Sequence, residues 1–286
     1  MSRQAVMCAR DGRRVTIRRA GARVRRSTGD LGELAQYADL LRTLSAHRIR
    51  VRYKQSVLGL AWAIVQPVSM MLIFTLVFGR IARVTTDGVP YALFAFTGLL
   101  VWSFLSTSLN NATQALVSHA QLVTKVYFPR EILPLSYVAA ALFDLLVGSV
   151  VLVALLAWYG RPVTWQLLFA VPVIATTAMF ATALAFMLSA LQVWFRDIGL
   201  VVPLVVYLWM FCTPVAYPLS AVPERYMTAF QLNPMTGIIE TFRDVILRPG
   251  APLPALPIVS TLTAVVLLPI AYGVFKRAEA TMADVV

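Results

Sequence analysis

The sequence predicts an all-α integral membrane protein of six transmembrane helices, with an amphipathic interface helix before the first span and re-entrant outer helices between spans five and six. Three observations predict it. Of 286 residues, 59% are hydrophobic and 13% charged, whereas a soluble domain carries about a quarter charged residues. The charges are confined to short stretches and leave six apolar gaps, each long enough for the roughly 20 residues that a span requires. Finally, 14 of the 25 Lys and Arg residues precede residue 58, an asymmetry that points to membrane orientation rather than to a nucleic-acid groove.

Residues 1–29, centred on RRVTIRRAGARVRR, read as a disordered cytoplasmic tail, either drawn to anionic lipid or simply solvated. The first 30 residues hold no apolar run like a secretory signal core. Over residues 30–56, Leu31, Leu34, Ala35, Ala38, Leu41 and Leu44 recur at helical spacing, with Glu33, Gln36, Arg42 and Arg50 elsewhere. That pattern predicts an amphipathic helix on the inner membrane surface.

The six-span unit covers 57–277, followed by a cytoplasmic tail over 278–286. Span one runs from about Leu58 to Phe78 and contains Pro67, which frees a carbonyl and permits a kink. Span two covers about Tyr91 to Thr113. The segment from Gln114 to Arg130 is too polar to cross and ends at Pro129; its apolar members pack on a protein partner or lie on the membrane. Spans three (Ile132 to Tyr159) and four (Trp165 to Trp194) are long, which tilt or protrusion accommodates. Span five is predicted from Ile198 to Pro214, and span six from Leu256 to Phe275.

Between spans five and six, Ile238, Phe242 and Ile246 line one helical face while Glu240, Arg243 and Asp244 line another. This is a short amphipathic helix introduced by Asn233 and Pro234, either dipping into the outer leaflet or packed on the outer surface of the bundle. With both termini cytoplasmic, 19 basic residues fall inside and six outside, as the positive-inside rule requires.

Several chemistries are excluded. The three lysines, Lys54, Lys125 and Lys276, follow Tyr53, Thr124 and Phe275, so none belongs to a Gly-Lys phosphate loop. His47 and His119 lie 72 positions apart, and Cys8 and Cys212 are equally isolated, so neither a metal site nor a disulfide framework is predicted. No catalytic constellation converges, and the chain reads as a transporter component rather than an enzyme.

Asp144 is the one ionisable residue deep within a span. A carboxylate at a helix centre costs about 2.5–3.5 kcal/mol on insertion scales and therefore faces protein or water. No second titratable group is evident at its depth, and both a structural and a transport role remain open. Arg48, Arg50, Arg52 and Lys54 sit just before span one, where they serve as topological anchors or attract a lipid phosphate or diphosphate. The tryptophans, among them Trp62, Trp102, Trp158, Trp165, Trp194 and Trp209, read as interfacial anchors, with stacking on sugar rings as the alternative.

The segment RVRYKQSVLGLAWAIVQPVSMMLIFTLVFG at 50–79 resembles the first-span region of ABC-2-type permease subunits that export polysaccharides such as O-antigen, capsule and teichoic acid. KVYFPREILPL at 125–135, WFRDIG at 194–199, TPVAYPL at 213–219 and LNPMTGIIETFRDVIL at 232–247 resemble the same family, over most of residues 36–277. The resemblance implies a homodimer of permeases with two copies of a separate ATPase, which would bind the ATP and Mg. It implies that Gln121, Lys125, Val126, Tyr127, Phe128, Pro129 and Arg130 form the ATPase-coupling loop, and that Arg52, Tyr53 and Lys54 lie where an undecaprenyl-diphosphate-linked polymer enters. It makes Arg196 and Asp197 holders of an inner loop, and places Asn233, Pro234, Glu240 and Arg243 in re-entrant helices at the exit. The implied location is the bacterial inner membrane. Rival readings are an ABC exporter of drugs or lipids with the same plan, and an ion-coupled carrier. The carrier would require paired intramembrane charges and an internal repeat, and the sequence carries neither.

Overall fold

A computed structural model describes residues 37–54, 59–86, 88–125, 128–162, 165–248 and 256–285. The predicted tail, the first part of the amphipathic helix through residue 36, and Val126 and Tyr127 lie outside the described residues. Every regular element among those described is helical.

Helix α1 (Ala38–Lys54) comes first. Helix α2 (Trp62–Phe74) contains Pro67 and continues as a π-helical stretch over Thr75–Ile81. Helix α3 (Tyr91–Thr113) is followed by two short helices, α4 (Ala115–Ser118) and α5 (Ala120–Lys125). Then come α6 (Ile132–Trp158), α7 (Ala170–Trp194, introduced by a 3-10 turn over Trp165–Phe169) and α8 (Ile198–Phe211). Helices α9 (Glu224–Leu232), α10 (Pro234–Leu247) and α11 (Leu256–Val285) complete the chain.

Helix α3 is the centre of the bundle. It packs on α2, α6, α7, α8 and α10, and most of its apolar residues are buried, from Leu93 through Leu109. Its own sequence explains this position, because Ala95 and Gly98 interrupt the large side chains and let neighbours approach. Gly148 on α6 plays the matching part, since a Cβ there would fall 2.5 Å from Leu100 Cδ1.

Five helices are long and apolar enough to cross a membrane: Trp62–Ile81, Tyr91–Thr113, Ile132–Trp158, Trp165–Trp194 and Pro257–Glu279. The predicted fifth span is shorter than expected. Helix α8 has 14 residues, about 21 Å at 1.5 Å per residue, against a hydrocarbon core of about 30 Å. It stops at Phe211 because the backbone turns away at Cys212, and the carbonyls of that turn are claimed by Arg243.

The tryptophans divide into two groups. Trp62, Trp158, Trp165 and Trp194 are exposed at helix ends, as interfacial anchors are. Trp102 and Trp209 instead pack edge-to-face inside the bundle, 5.7 Å between ring centroids, with Phe180 6.2 Å from Trp209.

Candidate functional site

Helix α1 lies along α6, and its cations divide by helical geometry. Arg48 and Arg52 are four residues apart and share one face; Arg50 and Lys54, offset by two positions, are exposed on another. Arg48 Nε donates to Ser136 Oγ at 2.6 Å, and its guanidinium carbon lies 3.5 Å from the centroid of the Tyr137 ring. One turn later Arg52 donates from Nη1 to Asp144 Oδ2, and Tyr53 donates its phenol proton to Asp144 Oδ1. Burial, reinforced by the Asp144 hydrogen bond, pushes the Tyr53 phenol up to about 12, so it stays protonated and remains a donor.

Asp144 thus has the titratable partner that its own span could not supply, delivered from a helix outside the spans. The Arg52–Asp144 pair lines a cleft of about 330 Å³ that also borders Trp62, Gln66, Ser103 and Thr107. Trp62 is the first residue of α2, so the cleft that holds Asp144 extends to the start of that helix. A second cleft, about 340 Å³, opens on the other side of the pair, bordered by Arg48, Asn111, His119 and Tyr137. Burial, with the Arg48 charge acting in the same direction, lowers the His119 imidazole from its ordinary value.

At the start of α6 the segment implicated in coupling is anchored to α11. Phe128 and Pro129 are buried, Phe128 in an apolar cluster with Leu116, Phe186 and Phe275. Gln121 is exposed. Arg130 Nη1 donates to the Glu279 backbone carbonyl at 2.6 Å, and the Arg130 backbone N–H to Glu279 Oε1 at 3.2 Å. Beside it Glu131, 0% exposed, pairs with Lys276 Nζ at 2.7 Å, and Lys276 also meets Glu279 at 3.0 Å. Sequence reasoning singled out Arg130 and passed over Glu131, Lys276 and Glu279. The signal available was Lys276 at the boundary of an apolar gap with Glu279 three residues on, a helical pair.

At the opposite end Asn233 caps α10, accepting from the Met235 N–H at 3.1 Å, with Pro234 at the first helical position. The Asn233 amide also donates to Thr213 Oγ1 at 2.9 Å, and Trp209 Nε1 donates to Asn233 Oδ1 at 3.3 Å. Arg243, with 3% of its side chain exposed, pairs with Glu240 at 2.7 Å and donates to the Pro214 and Val215 carbonyls, each at 2.6 Å. Its guanidinium carbon lies 3.7 Å from the Phe94 ring centroid. The face of α10 that reads as polar in the sequence is therefore turned inward, onto backbone carbonyls. Arg196 and Asp197 are exposed; the turn they form is held by Gln192 Nε2, which donates to the Arg196 carbonyl at 3.0 Å, and by the Asp197 carbonyl, which accepts the Leu200 and Val201 N–H groups of α8.

The sequence that builds this arrangement has relatives among known proteins. The chain is 33% identical over 258 residues to the O-antigen export system permease protein RfbA of Myxococcus xanthus, covering 88% of this chain and 97% of that one. It is 28% identical over 211 residues to the protein of the same name from Klebsiella pneumoniae, covering 73% and 81%. It is 23% identical over 221 residues to the polysialic acid transport protein KpsM of Escherichia coli, covering 72% and 80%. The ABC-2 type transporter family matches residues 39–247, which takes in α1, the Asp144 cleft, the clamped loop and the Arg243 helix, and the chain belongs to that family.

Proposed function

We propose that this chain is the channel-forming subunit of an ATP-driven exporter that moves undecaprenyl-diphosphate-linked polysaccharide, such as O-antigen or capsule, across the bacterial inner membrane. The observation that carries this reading is the docking of Arg52 and Tyr53 onto Asp144 at the mouth of a cleft of about 330 Å³. A guanidinium beside hydroxyl-bearing side chains, in a cleft that extends to the start of a span, suits the phosphate groups of a lipid carrier. The names of the relatives point the same way.

Two copies are needed in this reading. Helix α3 fills the centre of a single bundle with buried side chains, which supports placing the conduit between copies. ATP and Mg belong to a separate ATPase, two copies per exporter, and the segment from Gln121 to Arg130 transmits its motion. Arg130 and Glu131, tied to α11, give that segment a rigid support.

The test is reconstitution of the chain with its ATPase in vesicles loaded with lipid-linked polymer. ATP-dependent appearance of polymer in the opposite compartment is expected, and substitutions over Gln121 to Arg130 should abolish recovery of the ATPase in pull-down. Translocation of lipid or drug without polymer would replace this reading with that of a drug or lipid exporter.

A further inference from the structure

The cleft beneath α1 holds a charge pair in an unusual place for a purely structural bond. Among its described lining residues Arg52 is the only cation and Asp144 the only anion, and the remaining lining includes the side chains of Gln66, Ser103, Ser106 and Thr107. The pair is within reach of whatever occupies the cleft: 41% of the Arg52 side chain and 20% of the Asp144 side chain are exposed. A partly exposed pair of this kind is worth little as a staple, on the order of 0.2–1 kcal/mol. Packing already docks α1, through Arg48 on Ser136 and Tyr137.

We propose that Asp144 is a built-in competitor for Arg52: its carboxylate holds the guanidinium until a phosphate-bearing lipid headgroup displaces it, and so sets the affinity that a headgroup must exceed. This inference rests on the exporter reading above and assigns Asp144 an affinity-setting role within it. Carboxylate and phosphate both suit the planar fork of arginine, so they compete for the same donors. Asp144 is tethered, which gives it the advantage of an intramolecular partner. A phosphodiester headgroup, carrying about one negative charge, merely matches that carboxylate. A diphosphate carries more charge and more acceptor oxygens, and it can engage Arg52 while its other oxygens reach the neighbouring hydroxyls. Tyr53 completes the exchange. Its phenol stays protonated, so the displaced carboxylate keeps one charge-assisted hydrogen bond.

The experiment uses the full chain in phosphatidylcholine nanodiscs, with binding of undecaprenyl diphosphate and undecaprenyl monophosphate measured in parallel and inorganic diphosphate as a soluble arm. Asp144→Asn should tighten both lipids by about two- to fivefold, the range set by a partly exposed ion pair, and by a similar factor for each, because both displace the same carboxylate. Arg52→Gln should weaken the diphosphate, and the double variant should match Arg52→Gln, because the competitor has nothing left to hold. Asp144→Ser, which removes the charge in a smaller side chain, provides the same readout if Asp144→Asn does not fold. Wild-type binding of the lipid diphosphate with unchanged or weaker binding in both Asp144 variants overturns the exchange and leaves the exporter reading standing. Absence of lipid diphosphate binding in wild type and variants alike overturns both. Inorganic diphosphate binding as tightly as the lipid overturns the lipid headgroup as the ligand.

Discussion

Arg243 shows how far a side chain's role can lie from its sequence pattern. On a helical wheel it belongs to the polar face of α10, yet in the fold it is almost wholly buried and holds the turn that ends α8. Gly98 makes room for it, since a Cβ there would lie 2.5 Å from Arg243 Nη2 and 3.0 Å from the Val215 carbonyl oxygen. Replacing Arg243 by Met should leave the Glu240 carboxylate, 15% exposed, without its partner and two carbonyls without donors, a loss of about 3–5 kcal/mol. The thermal midpoint of the purified protein should fall by about 6 °C or more; an unchanged midpoint would remove Arg243 from its holding role. Asp144 illustrates the same limit. Its rarity within an apolar stretch made it conspicuous in the sequence, but its partners lie 91 and 92 positions away, a separation on which no local spacing rule bears.

Helices were more legible than single contacts. Spans two, three and four were read within a residue of α3, α6 and the Trp165–Trp194 helix, because charge-free length reports directly on burial in hydrocarbon. Helix α11 was underestimated: the apolar gap ends at Lys276, but the helix continues to Val285, with Ala278 and Met282 buried against the cluster that includes Phe128. That extension is what clamps the loop before α6. Lys276→Met should therefore strand the fully buried Glu131 carboxylate and cost about 3–5 kcal/mol, read as a lower thermal midpoint. Adding Glu131→Gln to Lys276→Met should recover part of the loss, because the double variant no longer buries an unpaired charge. Additive losses in the double variant would mean that the two residues do not act as a pair.

For the whole molecule the open quantity is the number of crossings. Arg48 of α1 and Lys276 of α11 both meet the first turns of α6, at Ser136 and Glu131, so the two ends of the described chain come together at one end of the bundle. An even number of passages is needed for that, and five helices are long enough to cross. We propose that α8 with its following turn makes a sixth passage; it runs from the Gln192 end of α7 to Ala216, whose carbonyl accepts from the Tyr91 hydroxyl at 2.5 Å. A cytoplasm-reporting enzyme fused after Val286 should then be active, and activity from an external reporter alone would refute the assignment. By itself the sequence determined that this is a helical membrane protein, where most of its spans lie and which family it joins, because hydrophobic length, charge asymmetry and local motifs are written along the chain. Only the tertiary structure decided that Arg52 and Tyr53 meet Asp144, that Arg243 turns inward and that α11 braces the loop before α6. Pairings between distant helices depend on how the helices tilt and pack, and no period in the chain encodes that.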